Sequence, residues 1–145
     1  MAATFTPASV TRPLTARDRT AATYRNLALW TLQGWIAMFF IAAGYAKITE
    51  PMANLVALMN WPALVSESFV RGLGIAEIVL ALGVLAPLAS WTIGRPILMV
   101  AAAGLVTLET VMLGVHAWGM DISLALVNVF LLAITIPVLL GRRAR

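Results

Sequence analysis

The chain has 145 residues, enough for one domain, of which 61% are hydrophobic and only 11% charged. Soluble domains usually carry about 25% charged residues, so this composition, with a mean hydropathy of +0.93, excludes a water-covered globule and implies lipid around most of the surface. There is no cysteine, which excludes disulfides, thiolate metal sites and thiol redox chemistry carried by the chain itself, and the net charge of +4 is gathered mainly at the two ends.

Residues 1–25 are rich in Ala, Thr and Arg and hold Arg12, Arg17, Arg19 and Arg25. They lack the apolar core of a secretory signal peptide. A transit peptide has a similar composition, but the reading taken is a disordered basic cytosolic arm. No aromatic interleaving or nucleic-acid motif accompanies the basic residues, so their expected partner is anionic lipid and not nucleic acid.

A span needs about 20 mostly apolar residues. Four segments qualify: 27–48, 66–88, 96–118 and 122–140. The fold class expected is therefore all-α, a polytopic four-transmembrane-helix bundle over 26–141, followed by a basic cytosolic tail at 142–145. Between the first two spans, the stretch 51–60 has Met52, Leu55, Val56, Leu58 and Met59 largely on one face. It reads as a short interfacial helix with Trp61 at headgroup depth.

Punctuation suggests the limits. Pro87 marks the end of the second span. Pro96 suits the first turn of the third, Asp121 suits the N-cap of the fourth, and Gly141 suits its end. Pro137 is expected to kink the fourth helix, which membrane helices tolerate. The arm, the 89–95 loop and the tail hold eight of the ten basic residues. With four spans, all three lie on one side, which predicts cytoplasmic N- and C-termini in a cell membrane, read as a bacterial inner membrane.

Ionisable residues within a membrane are costly and face the bundle or a wet cavity. In this layout Tyr45, Lys47, Glu67, Arg71, Glu77, Glu109, His116, Asp121 and Asn128 all fall in the outer half, while the inner half offers mainly Gln33 and threonine hydroxyls. Glu109 and His116 are seven residues apart and share a face, as do Asp121, Asn128 and Thr135. The candidates for ligand binding or proton handling are Glu77, Glu109, Lys47, Arg71, His116, Asn128 and Tyr45. Each has a structural alternative. Lys47 can snorkel to headgroups, Arg71 can pair with Glu67, Asp121 can serve only as a cap, and Asn128 can join helices. One histidine also rules out a bis-histidine haem within one subunit.

The run Gly44-Tyr45-Ala46-Lys47-Ile48, then Pro51 and Trp61-Pro62, then Arg71-Gly72-Leu73-Gly74-Ile75-Ala76-Glu77 with Ala81, Gly83 and Pro87, resembles the DoxX-like membrane proteins. The likeness continues more weakly through His116 and Asn128 and covers about residues 27–140. It implies a four-helix membrane fold and an association with membrane redox chemistry in which a quinone is the acceptor, alongside soluble or membrane redox partners. The absence of cysteine puts a direct thiol mechanism in doubt. Three functions follow as expectations: a quinone-binding redox component, a binder or carrier of another lipophilic molecule working as a monomer or homo-oligomer, and an assembly module for other membrane proteins.

Overall fold

The structure is a computed structural model that describes residues 15–143. Five helices follow in order: α1 Ala16–Thr49, α2 Met52–Met59, α3 Glu67–Leu85, α4 Trp91–Trp118 and α5 Ile122–Arg143. A 3-10 turn at Trp61–Leu64 leads from α2 into α3, and another at Ala86–Leu88 extends α3. The four longer helices, α3 with its extension, are each long and apolar enough to cross a bilayer. α1 packs on α3, α3 on α4, α4 on α5, and α5 returns to α1, so the spans form a closed ring in chain order.

α1 begins well before the expected span. The Thr15 hydroxyl accepts from the Asp18 N–H at 3.2 Å, and the Asp18 carboxylate accepts from the Thr15 N–H at 2.9 Å. This reciprocal cap satisfies donors that the first helical turn would otherwise leave open. It corrects the reading of 15–25 as a disordered arm; residues 1–14 lie outside the described residues. The 34 residues of α1 extend about 51 Å at 1.5 Å per residue, against a hydrocarbon core of roughly 30 Å. Its first turns therefore stand beyond one membrane face.

Two other expected boundaries shift. α4 starts at Trp91 after the N-cap residue Ser90, which leaves Pro96 inside the helix. An earlier start is possible because Gly94 lies under the end of α3: a Cβ there would stand 2.4 Å from the Ala86 carbonyl carbon. At the other end of the chain, Gly141 does not stop α5, which runs on to Arg143. A Cβ at Gly141 would stand 2.9 Å from Leu29 Cδ2. Gly94 and Gly141 both lie within helices, where they permit close packing.

The main core lies along the bundle axis and includes Ile36, Phe40, Val84, Leu105, Leu131 and Val138. Long apolar side chains such as Trp35, Val79, Val100 and Phe130 point outward, each more than half exposed. This inverted distribution is what a lipid solvent permits. A smaller cluster of Leu55, Trp61 and Val70 seals the end carrying α2. Trp61 is 7% exposed. The 3-10 turn folds its ring back onto α2 and α3, so it packs within this end of the bundle.

The opposite end, where α1 starts and α5 finishes, is fastened by Arg142. This residue was expected in a lipid-facing basic tail, yet it is fully buried. Its Nε donates to Gln33 Oε1 and its Nη1 to Asn26 Oδ1, both at 2.7 Å. The guanidinium also lies 4.8 Å and 5.3 Å from the ring centroids of Trp30 and Trp91, within range of attraction to the π faces. Gln33 Nε2 donates in turn to the Val84 carbonyl at 2.9 Å. One side chain therefore ties together α1, α4 and α5 and, through Gln33, α3. The tail reading fails at Arg142, which lies inside the bundle against these aromatic and amide groups.

Candidate functional site

The site begins with a close crossing. A Cβ on Gly44 would stand 2.5 Å from the Gly74 carbonyl oxygen, and a Cβ on Gly74 2.7 Å from the Gly44 oxygen. Only glycine at both positions lets α1 and α3 approach this closely. Three residues further along each helix, Lys47 and Glu77 then face one another. The Lys47 ammonium donates to both oxygens of Glu77, at 2.9 Å and 2.8 Å. The side chains are only 7% and 4% exposed.

Arg71 holds this arrangement from the α2 end. Its Nη1 donates to the carbonyl oxygens of Lys47 at 2.6 Å and Glu50 at 2.7 Å, which the end of α1 leaves without helical partners. Its Nε and Nη2 donate to Glu67 Oε1 at 3.3 Å and 2.9 Å. The expected pair with Glu67 is present, but the guanidinium also fixes the backbone of Lys47.

Lys47 and Glu77 open into a cavity of about 90 Å³ whose other polar walls are His116 and Asn128. Phe39, Phe40, Met59, Trp61 and Met112 supply much of its apolar lining. The cavity has room for several waters or one small polar group. His116 and Asn128 are nearly buried, at 7% and 8% exposed. Met59, Trp61 and His116 also line a larger groove of about 660 Å³ between the α2 end and the last turns of α4. The imidazole thus stands between the smaller chamber that carries the ion pair and a larger, mainly apolar groove.

Backbone geometry holds His116 in place. Its carbonyl accepts from the Asp121 N–H at 2.9 Å, while Ala117 O accepts from Met120 N–H at 3.2 Å. This is a Schellman ending, with Met120 in the left-handed region at φ 54°. Asp121 then caps α5 as expected, its Oδ1 accepting from the Leu124 N–H at 3.2 Å. Asn128, two turns on, donates from Nδ2 to the Leu124 carbonyl at 2.8 Å.

The sequence model of the DoxX-like family matches residues 31–138. That stretch contains all four spans' central portions and every polar wall of the cavity. The chain belongs to the DoxX-like family. No curated protein and no solved structure matches it.

In this DoxX-like bundle four of the seven candidates, Lys47, Glu77, His116 and Asn128, meet in one chamber. Arg71 acts on the Lys47 backbone from beside it. Glu109 lies deeper, fully buried. Its Oε1 accepts from the Thr135 hydroxyl at 2.8 Å, and its Oε2 has no hydrogen-bond partner among the described residues. It does not line the chamber. Tyr45 is 64% exposed on the far side of α1 and takes no part. The sequence reading missed the aromatic and methionine walls, and it missed Arg142. A signal for Arg142 was present: positions 121, 128, 135 and 142 recur every seven residues, so it continues the polar stripe of α5.

Proposed function

We propose that this DoxX-like membrane protein receives a carbonyl end of a quinone-like head in the Lys47–Glu77–His116–Asn128 chamber, as a component of membrane redox chemistry. The observation carrying the reading is the composition of that chamber. Hydrogen-bond donors and one carboxylate face a small space otherwise walled by aromatic, methionine and aliphatic side chains. Quinone carbonyl oxygens are acceptors, and Lys47, His116 and Asn128 are of the donor types that suit them. The rings of Phe39, Phe40 and Trp61 suit a flat head.

A bound quinone supplies the two-electron, two-proton redox capacity. The chain's own residues have other tasks. Glu77 occupies two of the three N–H donors of the Lys47 ammonium, which fixes the direction of the third. Its carboxylate lies at the chamber wall, where it can take or give a proton. Arg71 keeps the Lys47 backbone in register. Electrons come from a partner protein or substrate. The basic-residue distribution supports cytoplasmic termini, which places the chamber toward the outer face of a cell membrane.

The test is mass spectrometry of the organic extract from gently purified protein, wild type beside His116→Leu. A quinone enriched with wild type and depleted with the variant is the expected result. Another lipophilic compound with that behaviour would replace the quinone reading with that of a binder or carrier. Bulk lipid alone, equal in both, would overturn the binding reading and favour an assembly role.

A further inference from the structure

Two apolar grooves of similar size run down the outside of the bundle. One, about 380 Å³, lies on α3 and α4 around Val79, Gly83 and Val100. The other, about 390 Å³, lies in the seam between α1 and α5 around Trp35, Leu126 and Phe130. They differ in what lies behind them. The α3/α4 groove shares no lining residue with the polar chamber. The α1/α5 groove shares Phe39, Val127 and Leu131 with it. Those three side chains are thus a partition one residue thick, with lipid-facing surface on one side and the Lys47–Glu77 pair's chamber on the other.

The seam also has a reason to be open at this level. α1 and α5 are joined tightly at the termini end, where Leu29 meets Gly141 and Arg142 binds Gln33 and Asn26. Nearer the α2 end, Trp35, Leu126 and Phe130 are between 58% and 63% exposed. Phe39 and Val127, at 39% and 37%, contact both compartments. The seam is therefore fastened at one end and thinly closed at the other, beside the polar chamber.

We infer that the α1/α5 groove holds the hydrocarbon tail of the chamber's ligand, and that a membrane-dissolved amphiphile enters sideways from the bilayer past Phe39 and Val127. The inference rests on the proposed binding of a polar head in the chamber. It narrows the ligand class to molecules with a small, flat, hydrogen-bond-accepting head and an apolar chain. The groove of about 660 Å³ at the α2 end remains a separate route for a head without a tail. Lipid already solvates a tail as well as the groove does, so the groove acts by shape and by guiding the head, not by hydrophobic transfer.

The experiment uses the full chain in lipid nanodiscs and two probes: a methyl-substituted benzoquinone, and the same ring bearing a decyl chain with a terminal diazirine. Binding of each is measured for wild type, for Leu126→Trp in the seam groove and for Val100→Trp in the α3/α4 groove; Leu126 and Val100 do not line the chamber. Photolysis then maps the chain end. The expected result is adducts concentrated on Trp35, Leu126 and Phe130. Leu126→Trp should weaken the tailed probe about tenfold, a factor that corresponds to a modest steric loss, and leave the methyl ring unchanged. Val100→Trp should change neither. Binding of both probes with adducts at the α2 end or on α3 and α4, or an unaltered tailed probe in Leu126→Trp, would overturn the lateral route while sparing the chamber. Failure of wild type to bind either probe would overturn both.

Discussion

The Lys47–Glu77 pair gives the most direct test of how the interior is held together. Glu77→Gln preserves size but removes the charge that the ammonium faces at 2.8 Å and 2.9 Å. At 7% and 4% side-chain exposure, both partners lie away from bulk water, with only the small chamber beside them. Removing one member of a buried pair costs about 3–5 kcal/mol, because the other charge stays buried without its partner. Replacing both by apolar groups of similar size is often neutral or stabilising by about 1–4 kcal/mol. The structure therefore predicts a loss of about 3–5 kcal/mol for Glu77→Gln and recovery of most of it in Lys47→Met/Glu77→Leu. Reversible unfolding in mixed micelles, followed by helical circular dichroism, measures both. A single variant as stable as wild type, or a double variant no better than the single, would refute the claim that the pair is buried and mutually dependent.

At the α1/α3 crossing, Gly44→Ala should destabilise by about 1–3 kcal/mol through overpacking, since its methyl would stand 2.5 Å from the Gly74 oxygen. Gly34→Ala meets open space and should be neutral or slightly stabilising in the same unfolding assay. Arg142→Ala removes two charge-assisted hydrogen bonds and should cost about 3 kcal/mol or more. Exposed Arg143→Ala should stay within about 0.5 kcal/mol of wild type; equal effects would refute the buried assignment. Because the chain has no cysteine, single cysteines can report topology. An impermeant maleimide added to intact cells should label Met120→Cys and not Ala89→Cys, both at exposed positions; the reverse pattern would refute cytoplasmic termini.

The spans and the polar chamber were legible for the same reason. In a membrane, a charged residue several turns from a helix end has few places to go. Depth selects Glu77, and seven-residue spacing joins Asn128 to Asp121 and His116 to Glu109, but the same criteria also choose Glu109, which lies outside the chamber. Spacing also argues against Tyr45, which sits two residues before Lys47 and so about 200° around the helix from it. The failures have a common cause as well. Pro96 and Gly141 follow terminus preferences in isolation, but where the helices begin and end is decided by the packing around them. Arg142 was read from its nearness to the other basic residues of the tail. Its burial depends on Trp30 and Trp91, aromatic rings from two other helices, and no pattern within α5 reveals them. The apolar walls were equally hidden: Phe39 and Met112 look like any lipid-facing or core residue until the ring of helices is closed.

The Arg142 contact has a consequence for the order in which the protein is made. Gln33 and Arg142 are separated by 109 residues, so the first helix is synthesised and inserted long before its guanidinium partner exists. During that interval α1 has no partner on the side that α5 later covers. While α5 is still in the ribosome the three inserted spans lack this contact, and the side of the bundle that borders the polar chamber stays uncovered. Closure of that side is thus expected to wait for α5 and for the contact that Arg142 makes with α1.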